Sequence, residues 1–149
     1  RQMCIRDRLF AGDFDGDGRG DLAIGALTGD GPQNSRQTAG ELALVRGGAA
    51  GLRGLIIDLG APPAGVTLFL GATAGGIAGD TALMLDIDGD GFDELVIAAP
   101  QDGRAAGARG GRVYVFFGGV PLPAVVDLAD IPVALPHLIV EAEREGDQL

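Results

Sequence analysis

Apolar residues along this chain fall in runs of four to seven, divided by stretches rich in glycine, aspartate and proline. Residues 9–12 (LFAG) are a short apolar lead-in. Residues 22–26 (LAIGA) predict a strand with Leu22 and Ile24 on one face and Ala23 on the other. Residues 27–39 are a polar, turn-rich connection. Residues 42–46 (LALVR) predict the next strand, closed by Gly47-Gly48. A short apolar piece, LIIDL (55–59), leads through Pro62-Pro63 to a strand over 66–72. In the second half, residues 81–85, 95–99, 112–117, 125–128 and 138–142 predict strands. Residues 95–99 are apolar throughout, as in a strand buried on both faces. Residues 112–117 (RVYVFF) put Val113, Val115 and Phe117 on one face. No stretch shows a helical period, which disfavours βαβ units.

The second half repeats the first. Asp13 aligns with Asp86 at an offset of 73, and Gly47-Gly48 with Gly118-Gly119 at 71. Ile56-Ile57-Asp58 aligns with Val125-Val126-Asp127 at 69, and residues 67–70 (TLFL) with 137–140 (HLIV) at 70. Such order over about 70 residues marks a tandem unit of four strands. Tandem four-stranded units build β-propellers, which typically close with about 4–8 blades. The expected fold is therefore all-β: a partial β-propeller of about two four-stranded blades. Gly76 aligns with Gly146, so a third unit's first strand is expected to begin at the end of this sequence.

Composition sharpens the picture in one place. The 149 residues include 27 glycines and carry a formal net charge of -10. Nine of the 21 acidic residues lie in two nine-residue windows, 13–21 and 86–94. Acidity so concentrated points to cation sites, and the charge balance argues against nucleic-acid binding. Cys4 is the only cysteine, so no internal disulfide forms. No apolar run nears the roughly 20 residues that span a bilayer, and residues 1–8 are not a signal peptide. They have no counterpart in the second repeat and read as a stub that does not belong to the repeats. The expected division is residues 1–8 as stub, 9–78 as the first repeat, and 79–149 as the second with the start of another.

Each acidic window carries carboxylates at positions 1, 3, 5 and 9, with glycine at 6, and runs directly into a strand. Calcium takes about six to eight oxygen ligands in a flexible shell, which a short loop supplies from alternate positions. In the first loop the expected ligands are Asp13, Asp15, Asp17 and Asp21, with the carbonyl of Arg19. In the second the expected set is Asp86, Asp88, Asp90 and Glu94, with the carbonyl of Phe92. Four crowded carboxylates repel one another unless a cation is present. Magnesium prefers few carboxylates and several waters, and zinc wants Cys or His, which are lacking nearby. An EF-hand needs Glu at position 12, where Ile24 and Ile97 stand. Arg19-Gly20-Asp21 spells RGD, but Asp21 is needed inward and cannot also be offered to a receptor. His137, the single histidine, lacks the partners of a catalytic set. The glycine-rich residues 73–79 lack the lysine of a phosphate loop and read as a blade-to-blade turn.

DFDGDGRGDLAIGA (13–26) and DIDGDGFDELVIAAP (86–100) resemble the FG-GAP repeat of integrin α-subunit propellers and their bacterial relatives. The resemblance covers residues 9–149. It implies a seven-bladed ring with calcium in the hairpin loop between the first two strands of a blade, and hence two Ca2+ sites here. Glu94 stands where the family has Asp, with Asp93 beside it as an alternative ligand. Leu70-Gly71 only loosely matches the FG element, and Gly25-Ala26-Leu27 and Ala98-Ala99-Pro100 stand for GAP.

The resulting expectation is a non-catalytic, calcium-stabilised module of an extracellular, cell-surface or periplasmic protein, bacterial in type, used for adhesion or binding. Its partners would be a protein or glycan ligand and the remaining blades of the same chain, with no nucleic acid and no membrane insertion. The rival expectation is an accessory propeller of a secreted hydrolase, a phospholipase or a polysaccharide lyase whose catalytic part lies elsewhere. A spacer without a ligand is a third.

Overall fold

A computed structural model describes residues 8–48, 54, 56–103 and 110–143. Residues 1–7 of the stub, Cys4 among them, Leu55, most of the 101–110 connection and Gly146 lie outside the described residues, while Arg8, taken from the sequence as the end of the stub, opens the first strand. Among the described residues nine strands run in order: β1 (Arg8–Gly12), β2 (Asp21–Ala26), β3 (Glu41–Val45), β4 (Val66–Leu70), β5 (Thr81–Leu85), β6 (Glu94–Ala99), β7 (Arg112–Phe116), β8 (Val125–Asp127) and β9 (His137–Glu141). The described residues contain no α-helix, only a 3-10 turn at Pro32–Asn34. The lead-in at 9–12 is thus part of a full strand, while residues 56–58 pair with no strand among the described residues.

The strands form two sheets, β1-β2-β3-β4-β8 and β5-β6-β7-β9. Within each repeat the strands meander antiparallel. This is the all-β, partial-propeller architecture expected of two four-stranded blades. One strand breaks the simple tally. β8 belongs to the second repeat in sequence but pairs parallel with β4, the outermost strand of the first repeat. The connection leaving β7 therefore reaches across to the neighbouring sheet before β9 returns.

Pairing register also corrects the repeat alignment. Thr67 lies opposite Leu44, and Leu138 lies opposite Val115. Both pairs stand 71 apart, so residues 67–70 match 138–141, one residue on from the sequence alignment. These segments are apolar nearly throughout, so period-2 alternation could not set the register.

The two sheets pack face to face. The first contributes Ala23, Leu42, Leu44 and Phe69; the second contributes Leu95, Ile97, Tyr114 and Phe116. Phe69 and Phe116 meet at the centre with ring centroids 4.8 Å apart and planes tilted by 51°. Tilted aromatic pairs add to the burial term of large rings. Each sheet's other face is apolar but more open. On β6, Leu95 and Ile97 are buried while Val96 and Ala98 are half-buried, so only one face is closed. On β7 the fully buried side chains are Tyr114 and Phe116, not the Val113–Val115 face favoured by the sequence pattern.

One buried charge sits in this layer. Asp102 is fully enclosed and accepts hydrogen bonds from Thr73 Oγ1 at 2.6 Å and from Tyr114 Oη, with Arg112 Nη1 3.5 Å away. Its oxygens are thus answered, as a buried carboxylate requires. Burial, and then Asp102 itself, pushes the Tyr114 phenol well above its ordinary range. His137 starts β9, its Nδ1 2.7 Å from the Leu135 carbonyl and its ring beside Phe116, a packing role.

β8 is pinned at its end. Arg36, from the β2–β3 connection, makes a two-pronged ion pair with Asp127 at 2.5 and 2.9 Å and also donates to the Gly71 carbonyl. Burial alone would raise the Asp127 carboxyl, but the Arg36 hydrogen bonds and charge and the Ala129 N–H outweigh it and hold it below the usual range.

Two outcomes follow. Phe116→Ala should lower unfolding free energy by about 3–5 kcal/mol in urea titration, as expected for a buried aromatic. Asp127→Asn should cost about 1 kcal/mol at neutral pH, because the pair is only partly buried. A depressed carboxyl loses its contribution as pH falls through the folded value. The difference between variant and wild type should therefore shrink as pH falls below the unfolded carboxylate value of about 3.9 and vanish below the depressed folded value.

Candidate metal centre

The β1–β2 hairpin folds its acidic loop through two left-handed glycines. Gly16 and Gly18 have φ of 69° and 78°, and their counterparts Gly89 and Gly91 have 81° and 93°. Positions 4 and 6 of each loop are thus glycine for a backbone reason, where the sequence reading had used only position 6. The curl brings Asp13, Asp15 and Asp17 together, and separately Asp86, Asp88 and Asp90. In each trio one oxygen per residue lies within 4.8 Å of the others.

Backbone N–H groups hold these carboxylates in place. Asp13 accepts from Asp17 and Gly18 at 3.1 and 2.9 Å, and Asp17 accepts from Arg19 at 2.8 Å. In the second loop Asp86 accepts from Gly89 and Gly91 at 2.6 and 3.1 Å. Asp88 accepts from Asp90, and Asp90 from Phe92, at 3.1 and 3.0 Å.

Position 9 lies apart from both trios. Asp21 is buried, with one oxygen accepting from Phe14 N–H at 2.9 Å and the other from Gly47 N–H at 2.8 Å. Glu94 repeats this with Ile87 N–H at 2.6 Å and Gly118 N–H at 3.5 Å. The position-9 carboxylate therefore ties the loop to the turn after the third strand. Burial pushes the Asp21 carboxyl up, opposed by the Gly47 N–H and reinforced by the charge of Asp15. Its enclosure also answers the RGD reading: the carboxylate of that tripeptide is not displayed.

Asp93 is not beside the second trio. Its Oδ2 accepts from Asp13 N–H at 2.7 Å, and its own N–H donates to the Asp13 carbonyl at 3.1 Å. It caps the first loop from the second repeat. The one sequence signal for this was an acid where the first repeat has Gly20. Phe92 offers its ring to the same joint, lying against Gly16 and Gly119. Phe14, beside the first trio, is fully buried in the intersheet layer.

The donor set suits a hard cation: carboxylate oxygens, no sulfur and no imidazole. One atom stands out. Asp15 Oδ1 is buried and has no hydrogen-bond partner. A buried carboxylate oxygen without a donor is costly unless something positive meets it. Two N–H bonds occupy about half of the roughly four acceptor sites of a carboxylate, so Asp21 and Glu94 retain capacity to bind further.

With this geometry in view, the family model described as FG-GAP repeat matches residues 8–45 and 78–116. Phosphatidylinositol-glycan-specific phospholipase D from Rattus norvegicus is 32% identical over 110 residues, covering 74% of this chain and 13% of that protein. The Bos taurus protein of the same name matches with the same identity and coverage. The Mus musculus protein is 30% identical over 110 residues, again 74% of this chain and 12% of that protein. The chain thus spans a small fraction of the relatives it matches.

Glycine substitutions separate the two loops. Gly89→Ala has open space around it and should cost about 1 kcal/mol from its left-handed backbone alone. Gly16→Ala must also displace the Phe92 ring, which Gly119 backs, and should cost about 1–3 kcal/mol more. Chemical denaturation of the two variants side by side measures the gap.

Proposed function

This chain belongs to the FG-GAP repeat family, and we propose on that footing that it is a calcium-stabilised propeller module of an extracellular or cell-surface protein, serving binding or adhesion. The observation that carries the calcium reading is Asp15 Oδ1, a buried oxygen without a donor, within a trio of carboxylates that the second repeat duplicates. We assign Asp13, Asp15, Asp17 and Asp21 with the Arg19 carbonyl to one site. Asp86, Asp88, Asp90 and Glu94 with the Phe92 carbonyl form the other. A bound calcium would supply positive charge to each loop and no reaction chemistry. The residues do the structural part: Asp13 and Asp86 gather N–H groups across the turn, and Asp21 and Glu94 anchor it to the third strand. The division into residues 1–8, 9–78 and 79–149 belongs to the same reading, with further blades of the parent chain covering the open sheet faces. Extracellular calcium modules work at around 10⁻⁴–10⁻³ M, which favours a location outside the cytosol. Among the described residues no helix is long and apolar enough to cross a membrane.

A second reading has a specific observation behind it. The matched relatives are named as phospholipases D, and the match covers only 13% of the rat protein. In that reading this module is the non-catalytic propeller of a larger enzyme. The parent reading frame distinguishes the two: a hydrolase domain favours the enzyme, adhesion domains or a surface anchor favour the binder.

Calorimetry with calcium should give two sites per chain. Asp15→Asn should abolish one and Asp88→Asn the other. Calcium at about 100 times its dissociation constant should raise unfolding free energy by about 2.7 kcal/mol per site. Absence of both heat and stabilisation at millimolar calcium would sink the calcium reading.

A further inference from the structure

Positions 7 and 8 of the two acidic loops differ: Arg19-Gly20 in the first, Phe92-Asp93 in the second. Phe92 and Asp93 belong to the second loop by sequence, yet both side chains reach the first. Asp93 Oδ2 accepts from Asp13 N–H at 2.7 Å, and Asp93 N–H donates to the Asp13 carbonyl at 3.1 Å. A single residue thus holds both backbone polar groups of Asp13. Phe14, next in the chain, is held in turn. Its N–H donates to Asp21 Oδ2 at 2.9 Å, and its carbonyl accepts from Gly119 N–H at 2.8 Å.

Room for the Asp93 carboxylate exists because residue 12 is glycine. A Cβ at Gly12 would stand 2.6 Å from Asp93 Oδ2 and would run into the Met84 Cβ. In the second repeat Leu85 stands at the position of Gly12; in the first, Gly20 stands at the position of Asp93. The seat and the carboxylate that fills it each occur once in this sequence. The contact therefore belongs to this joint and not to the repeat at large.

Asp13 is the residue about which the first loop closes. Its carboxylate accepts from Asp17 and Gly18 N–H and stands in the trio with Asp15 and Asp17. The direction of that carboxylate follows from the backbone of residue 13, so whatever fixes the backbone aims the side chain. Asp93 does the fixing from outside the trio, with its own Oδ2 turned to the Asp13 N–H. A group already aimed gives up less freedom when it closes on an ion. Partners that orient a metal's ligands typically change affinity by about 10–100-fold when removed.

We propose that Asp93 is a positioning residue for calcium at the first loop, so that a side chain of the second loop sets the affinity of the first site. The proposal rests on the calcium reading and deepens it. The sequence pattern offered Asp93 as an alternative ligand of the second site, and the two assignments predict opposite results. Coupling of this kind is reciprocal. Calcium in the first loop should in turn tighten the pairing of Asp13 with Asp93, and with it the hold of the second repeat on the first.

Calcium titration calorimetry on single-site chains tests this. Asp88→Asn leaves the first loop to bind, and Asp15→Asn leaves the second. Adding Asp93→Ala should weaken binding about tenfold or more in the Asp88→Asn chain and change it less than about twofold in the Asp15→Asn chain. Asp93→Asn keeps an oxygen for the Asp13 N–H and should recover most of the loss. Gly12→Ala displaces the carboxylate without altering Asp93 and should reproduce the loss. Circular dichroism checks that each variant is folded. Amide exchange in the Asp88→Asn chain needs no substitution at the joint: calcium should slow exchange of Asp93 N–H, although the loop that Asp93 belongs to then binds nothing. A loss confined to the Asp15→Asn chain, an Asp93→Asn chain no better than Asp93→Ala, or unchanged exchange at Asp93 would each overturn the proposal. Absence of calcium binding in both single-site chains would sink the calcium reading with it. Intact first-site binding that is indifferent to Asp93→Ala would sink the proposal alone.

Discussion

The packing of one sheet's face on the next sheet's opposite face is the constraint on which the rest of this molecule depends. A four-stranded antiparallel sheet with two apolar faces has no stable existence alone, because one face at least must leave water. The Phe69–Phe116 contact and the aliphatic residues around it meet that need once. Within each repeat the strands pair in chain order, β8 excepted. What joins the sheets is long-range: the apolar layer and the strand β8 laid across the boundary, while Asp102 ties the β4–β5 connection to β7.

That packing encloses the first acidic loop. Phe14 leaves the first loop to enter the shared layer, and Gly119 N–H closes on its carbonyl at 2.8 Å. Asp93 and Phe92 arrive from the second repeat to cap and cover the first loop. A loop of like charges would open by repulsion, yet its backbone is held from three directions by groups outside it. The position-9 carboxylate is the remaining tie, linking loop, second strand and the turn after the third.

Much of this was legible in the residues. Short apolar runs gave strands within one or two positions of those formed, since glycine and proline mark their ends sharply. The paired acidic loops stood out because carboxylates and glycines recur at fixed spacing. Three things were not legible. The pairing of β8 with β4 is a choice of neighbour, and three residues, VVD, carry no signal of which edge they will meet. The register of β9 escaped because HLIV lacks alternation, so a shift of one looked equally good. The burial of Asp21 and Glu94 escaped because spacing shows which side chains can reach a centre, not which N–H groups they meet first.

The two loops are alike in sequence and unlike in setting. In the first, Asp13 and Asp15 are partly buried and Asp15 carries an oxygen shut away from solvent. In the second, all three carboxylates are exposed, and Ile87 stands open where Phe14 is enclosed. Lower dielectric strengthens both the repulsion among carboxylates and their pull on a cation. A first loop roofed by the next repeat is therefore a different electrostatic object from a second loop facing water. The sequence repeat runs from one acidic loop to the next, but the enclosed first loop belongs to one repeat and its cover, through Phe92, Asp93 and Gly119, comes from the repeat that follows.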